Sequence, residues 1–253
     1  MRFSLHQFAR VFKIRDAKGL PYILIGGQAV NYWAERFYSV EPGLSDWLPF
    51  TSEDIDFKGD QKDAKHIAKQ LGLTASLPLM VEMTALAGAI PFKIGDLKTT
   101  IEVVRSIPGV DVKRINDFAF NAEWSGQEIR VLDPISLLCC KAELAASVSQ
   151  KERRDVHHLK IMVICVRAFL REALHGVEQG KLSAKGWMGA VERSLTLSES
   201  TLGAKISRRF GVDWLELLPL AEIEISENTK AIQLRQKRLP RWRTKIGRVR
   251  QKA

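Results

Sequence analysis

The stretch that decides the fold is Tyr22-Ile23-Leu24-Ile25-Gly26-Gly27-Gln28-Ala29, answered downstream by Thr51-Ser52-Glu53-Asp54-Ile55-Asp56-Phe57. The apolar run before Gly26 is too short for a helix. Beyond the glycines, Ala29, Val30, Trp33, Ala34 and Phe37 recur at helical intervals, which predicts strand, glycine turn and helix. A glycine pair at such a turn presents backbone N–H groups to a phosphate with no Cβ in the way. Asp54 and Asp56, at i and i+2 of a strand, face one side and can share a metal ion, while Ile55 and Phe57 turn into the core. Together the two halves predict a metal-dependent nucleotide site. Either half alone is a weak signal, because Gly-Gly turns are common and such a carboxylate pair is more often a solvated strand edge than a metal site.

Outward from this pair the elements follow in order. Residues 5–18 carry Phe8, Val11 and Phe12 at helical spacing and stop at Gly19, and residues 39–49, with Pro42, Gly43, Ser45, Asp46 and Pro49, read as a loop. Residues 63–71 predict a helix closed by Gly72. In Thr99-Thr100-Ile101-Glu102-Val103-Val104 the β-branched residues predict a strand, with Glu102 opposite in facing to Ile101 and Val103. A further strand over residues 128–132 leads to Asp133-Pro134, an N-cap followed by proline at the first helical position. That helix runs through Leu137, Leu138, Lys141, Leu144 and Ala145. After the charged turn at 150–154, residues 155–175 hold Leu159, Met162, Val163, Val166 and Leu170 on one apolar stripe. More helices are expected between 183 and 228. The expectation is an α+β chain without internal repeats: a core over 1–132, a helical domain over 133–232, and a basic, disordered tail over 233–253.

The 253 residues, 45% of them hydrophobic, suffice for a real core. Nine basic residues and no acidic one follow residue 232, so all but one unit of the net charge of +10 lies there. Such a segment, with Trp242 among the arginines, attracts a nucleic-acid backbone and can stack on a base, or is simply a solvated terminus. No apolar run reaches the roughly 18 residues that span a bilayer, and the N-terminus carries no signal-peptide pattern, so a cytoplasmic protein without a membrane partner is expected. Cys139, Cys140 and Cys165 are odd in number, sit in apolar helical patterns and read as core residues. His157 and His158, as helix neighbours, point to different faces and make a poor metal pair.

The series IGGQA, SEDIDF, TTIEVV, DPISLLCCKAELAA and KERRDVHHL, from about Tyr22 to Leu159, resembles the nucleotidyltransferase superfamily related to DNA polymerase β, and within it the AbiEii-like branch that includes toxins of toxin–antitoxin systems. The resemblance implies a mixed sheet flanked by helices, an NTP substrate and two Mg²⁺ ions. It also implies that Gly26 and Gly27 contact the triphosphate, that Asp54 and Asp56 hold the metal, and that Glu102 is the third carboxylate. Lys141 would approach the phosphates, and Asp155, beside Arg153 or Arg154, would fill the late acidic position. Ser52 and Arg36 are weaker phosphate or sugar candidates. RNA is the implied acceptor, with tRNA as a toxin's target, a small molecule the alternative, and an antitoxin protein an implied partner. A non-catalytic nucleotide- or RNA-binding protein on the same scaffold is the rival reading. Two departures stand out: the span from Gly27 to Asp54 implies an inserted loop, and glutamate stands at 102 where aspartate is commoner, with Asp96 as the other candidate. Some of these residues also have a plainer alternative: Glu102 as an exposed strand residue, Lys141 as a long stem reaching solvent, and Asp155 as an N-cap.

Overall fold

The computed structural model describes residues 1–79, 82, 84–151 and 153–251, with side chains at the C-terminus through residue 247. Glu152 of the charged turn, Lys252, and the side chains of Arg248 and Arg250 therefore lie outside the described structure. The chain divides into two compact units: Met1–Arg36 with Trp47–Cys140, and Phe37–Asp46 with Lys141–Ala253.

The first unit is built on a mixed six-stranded sheet in the order β3-β4-β2-β1-β6-β5. Its strands are β1 (Ile23–Ile25), β2 (Ile55–Lys58), β3 (Leu86–Ile94), β4 (Leu97–Val104), β5 (Ala119–Trp124) and β6 (Gln127–Leu132). β1 pairs antiparallel with β2 and parallel with β6, while β2 pairs parallel with β4. Helix α1 (Gly26–Phe37) leaves β1 directly. Its Ala29, Val30, Trp33 and Ala34 are buried, and the Trp33 indole donates to the Leu132 carbonyl at 2.9 Å, tying the helix to the end of β6. Helix α2 (Gln61–Leu71) starts at Asp60, whose carboxylate accepts from the backbone of Lys62 and Asp63, and ends at Gly72 in the left-handed conformation. It packs on β3 and β4.

The alternation of β4 did mark Glu102 apart from buried Ile101 and Val103. β3 and β5 were harder to read. β3 contains Pro91, which only an edge strand tolerates, and β5 is half-exposed along its length. Residues 5–18 do not form the expected helix. They make two short 3-10 turns, Leu5–Phe8 and Val11–Lys13, because Phe3 is held in an antiparallel bridge to Ser52 and the buried Phe8 and Phe12 follow the sheet rather than a helical stripe.

The second unit is helical: α3 (Pro134–Ser147) enters it, followed by α4 (Asp155–Glu178), α5 (Ala184–Glu199), α6 (Thr201–Phe210), α7 (Leu220–Ile225), α8 (Thr229–Gln233) and α9 (Leu239–Gln251). Asp133 caps α3 as expected, accepting from the backbone of Ile135 and Ser136. The segment read as a surface loop is instead partly packed here. Leu44 is fully buried, and Glu41 accepts from Arg167 at 2.5 Å and Arg171 at 2.8 Å, so two α4 cations hold one buried carboxylate.

The basic C-terminus also departs from expectation. A π-helical turn (Leu234–Arg238) continues into α9, with Leu239, Trp242 and Ile246 buried. The Trp242 indole donates to Ser198 Oγ at 2.9 Å, and Arg238 pairs with Glu192 and Glu199. Trp242 is thus an anchor in this unit and not a stacking platform. No helix among the described residues is long and apolar enough to cross a membrane.

The change Trp242→Ala is expected to lower stability by about 3–5 kcal/mol in urea unfolding. A loss under about 0.5 kcal/mol, as at a surface position, would contradict the seating of α9.

Candidate metal centre

The centre is assembled by register. Ile25, the last residue of β1, lies opposite Asp56 on β2, and Asp56 lies opposite Glu102 on β4. Paired residues of neighbouring strands project to the same face, so the Asp56 and Glu102 carboxylates stand side by side. Asp54 sits one residue before β2 begins, in a bend and not on the strand proper. One carboxylate oxygen from each of Asp54, Asp56 and Glu102 nevertheless lies within 4.8 Å of the others, and all three residues are half-buried. Asp96 is not part of this cluster: with Gly95 it forms the β3–β4 turn.

Gly26 is in the left-handed region at φ +66°, and a Cβ there would overlap Asp56 Oδ2. Its need for glycine is therefore double, conformational and steric. The Asp56 carboxylate packs against bare backbone at the start of α1. Gly27 follows, buried in the first turn of α1.

Several neighbours hold this arrangement. Ser52 Oγ donates to Asp54 Oδ1 at 3.2 Å, which gives Ser52 a positioning task at the centre. The Thr99 hydroxyl donates to the Glu53 carbonyl at 2.7 Å and fastens the approach to β2 onto β4. The Phe3 carbonyl accepts from both Gln28 Nε2 and the Ser52 backbone N–H, each at 3.0 Å. One N-terminal carbonyl thereby couples the helix after the glycine turn to the strand entry that carries Asp54. Sequence reasoning missed Thr99, Gln28 and Phe3. Gln28, a polar residue in an otherwise apolar first turn, was the one readable signal. Arg36 is ten residues beyond Gly26, about 15 Å along the helix, where its guanidinium lies over the Trp33 and Phe120 rings.

Lys141 and Asp155 belong to the second unit, where they meet: Lys141 Nζ lies 2.9 Å from Asp155 Oδ1, with side chains 7% and 3% exposed. Arg153 Nε binds the other oxygen at 2.6 Å. Lys141 is therefore no stem reaching solvent, and Asp155 is not the N-cap of α4, a position held by Arg154. Burial pushes the Asp155 carboxyl up, but Lys141 and Arg153 outweigh it and hold the group below the ordinary carboxylate range. Next to them His158 is buried, and its Nε2 has no hydrogen-bond partner among the described residues. Burial, then the nearby Lys141 charge, keeps that ring's pKa well below the usual value, so it is neutral at pH 7. His157 instead pairs with Arg154.

Three carboxylates converging from β2, the bend before it and β4 are a hard-oxygen donor set, suited to Mg²⁺, Mn²⁺ or Ca²⁺ rather than to a soft metal. No family model and no curated protein matches the chain. It is similar to a solved structure of an antigenic nucleotidyltransferase-like protein from Paracoccidioides brasiliensis. The identity is 17% and the TM-score 0.36, with 56% of this chain and 66% of that one covered. A likeness of this degree decides nothing about chemistry, which rests on the carboxylates themselves.

Two outcomes are expected. Gly26→Ala and Gly72→Ala each place alanine at positive φ, but the second meets open space. Gly72→Ala should lose about 1–2 kcal/mol of stability; Gly26→Ala should lose more, because its Cβ also displaces the Asp56 carboxylate, and it alone should weaken Mn²⁺ binding measured by calorimetry. Asp155→Asn leaves Lys141 buried and unpaired, at a cost of about 3–5 kcal/mol. Because the folded pKa of Asp155 is depressed, its contribution is complete above the unfolded value near 3.9 and disappears as pH falls through the folded value. The stability gap between wild type and Asp155→Asn should therefore hold from pH 5 to 8 and close below about pH 4, as read by urea midpoints. A gap that closes near neutrality would contradict the assignment.

Proposed function

We propose that the chain is a metal-dependent nucleotidyltransferase that moves a nucleoside monophosphate from an NTP to a hydroxyl of an RNA acceptor. The observation that carries this reading is the convergence of Asp54, Asp56 and Glu102 beside a glycine turn at a helix N-terminus. Asp54 and Asp56 would hold two Mg²⁺ ions, with Glu102 as the third carboxylate. Bound there, divalent cations supply charge neutralisation for the triphosphate, a lowered pKa for the attacking hydroxyl and stabilisation of the leaving pyrophosphate.

The acceptor oxygen forms a bond to the α-phosphorus as the bond from that phosphorus to the α–β bridging oxygen breaks, and pyrophosphate leaves with the electron pair. The proton of the acceptor hydroxyl passes to a Glu102 carboxylate oxygen. The N–H groups at the Gly26-Gly27 turn orient the triphosphate, aided by the partial positive charge at the start of α1. Ser52 keeps Asp54 aimed. The basic C-terminal residues favour a polyanionic acceptor over a small molecule. In its finest form the reading is an AbiEii-like toxin that modifies the 3′ end of tRNA in the cytoplasm and is restrained by an antitoxin.

The experiment is incubation of the protein with Mg²⁺, each labelled NTP and total RNA. Wild type should place label in RNA, Asp54→Ala and Asp56→Ala should not, and Glu102→Gln should slow transfer by about 10²–10⁴-fold. RNA retained without label would favour a binding protein on this scaffold, and transfer by both alanine variants at the wild-type rate would refute the site.

A further inference from the structure

The hairpin formed by β3 and β4 carries two cations that the metal centre does not use. Lys93 and Lys98 are direct cross-strand partners, both exposed, and neither side chain has an ion-pair or hydrogen-bond partner among the described residues. Like charges placed directly opposite each other destabilise an antiparallel pair. Nothing local requires the repulsion: the turn is made by Gly95, at φ +60°, and Asp96, and the core side of the hairpin is made by Ile90, Phe92 and Ile101.

Strand alternation links this pair to the carboxylates. Lys98, Thr100 and Glu102 share one face of β4, and the register places Lys93 beside Lys98, Pro91 beside Thr100 and Asp56 beside Glu102 on that same face. The lysines therefore lie on the sheet face that bears the metal centre, about 13 Å from Glu102 along the strand. Exposed Pro91 and half-buried Thr100 lie between. The backbone of a single strand covers that distance within a few nucleotides.

We propose that Lys93 and Lys98 clamp the phosphodiester backbone of a single-stranded RNA acceptor a few nucleotides from its reacting end, so that its terminal hydroxyl reaches the carboxylates. The proposal rests on the nucleotidyl-transfer reading of that centre and supplies what the carboxylates lack. With two Mg²⁺ ions and an NTP in place, the three carboxylates and the triphosphate still leave the centre net negative, so a polyanionic acceptor needs cations on the same face but at a distance from the reacting group. An opposed lysine pair presents two such charges to neighbouring phosphates, and binding a polyanion relieves the repulsion between them.

The test uses the full chain, the double variant Lys93→Gln/Lys98→Gln and the conservative double variant Lys93→Arg/Lys98→Arg. A labelled single-stranded RNA oligonucleotide is titrated by anisotropy over a salt series, Mn²⁺ binding is followed by calorimetry, and thermal unfolding is recorded. The glutamine variant should reduce the slope of log affinity against log salt by about 1.4, since each lost phosphate contact removes about 0.7 for a single strand. Its Mn²⁺ affinity should be unchanged and its melting temperature equal or higher, and the arginine variant should keep the wild-type slope. An unchanged slope in the glutamine variant would overturn the clamp, as would a lowered melting temperature, which would give the lysines a structural role. Wild-type protein that ignores RNA but binds phosphatidylserine vesicles through these lysines would overturn RNA as the occupant. Failure of the transfer reading shows separately, as absence of NTP label from RNA while the salt slope still responds to the lysines.

Discussion

Everything at the candidate centre depends on how closely the Asp56 carboxylate approaches the backbone of Gly26. The contact is possible because Ile25 and Asp56 are register partners and because the next residue has no Cβ to occupy the space that the carboxylate fills. From that point the rest is geometric. The parallel pairing of β2 with β4 brings Glu102 alongside Asp56, and the bend before β2 carries Asp54 to the same spot. A one-residue slip of β2 would exchange its buried Ile55 and Phe57 for its carboxylates. The full burial of Ile55 and near-full burial of Phe57 therefore enforce the alignment of the acidic residues. Hydrophobic packing on one face of the sheet thus fixes the chemistry on the other.

The parts legible in the sequence are those governed by short-range periodicity. The strand, glycine turn and helix around Gly26, the alternation that sets Glu102 against Ile101 and Val103, and the Asp133-Pro134 helix start all follow from two- or four-residue patterns. What escaped depends on partners far along the chain. The segment around Glu41 looks like a loop because its proline, glycine and serine content speaks louder than a glutamate whose arginine partners lie 126 and 130 residues away. The C-terminus reads as a solvated tail because basic residues outnumber apolar ones. Leu239, Trp242 and Ile246 nonetheless recur at helical spacing and are buried. Lys141 and Asp155 were each singled out, yet only the fold makes them one another's partner.

The second unit uses its charges in a consistent way. Arg238 answers Glu192 and Glu199, Arg167 and Arg171 answer Glu41, and Lys141 and Arg153 answer Asp155. The hydrogen bond from Arg238 holds the Glu199 carboxyl below its ordinary range, and the reciprocal bond raises the arginine. Replacing one member of a buried pair costs far more than the pair contributes, because the survivor stays buried and uncompensated. Such pairs fix the arrangement of helices rather than supply much net stability. Basicity concentrated in the last 21 residues is thus divided: part of it holds α9 in place, and the remainder, including Lys237 and Arg241, faces solvent.

The central claim is that Asp54, Asp56 and Glu102 together hold divalent metal. Anomalous diffraction from a Mn²⁺-soaked crystal, collected with and without a non-hydrolysable NTP, tests it most directly. Manganese density bounded by oxygens of all three carboxylates at about 2.1–2.3 Å, strengthened by the nucleotide, is the expected result. Manganese absent from this position, or bound elsewhere with the three carboxylates turned apart, would contradict the account.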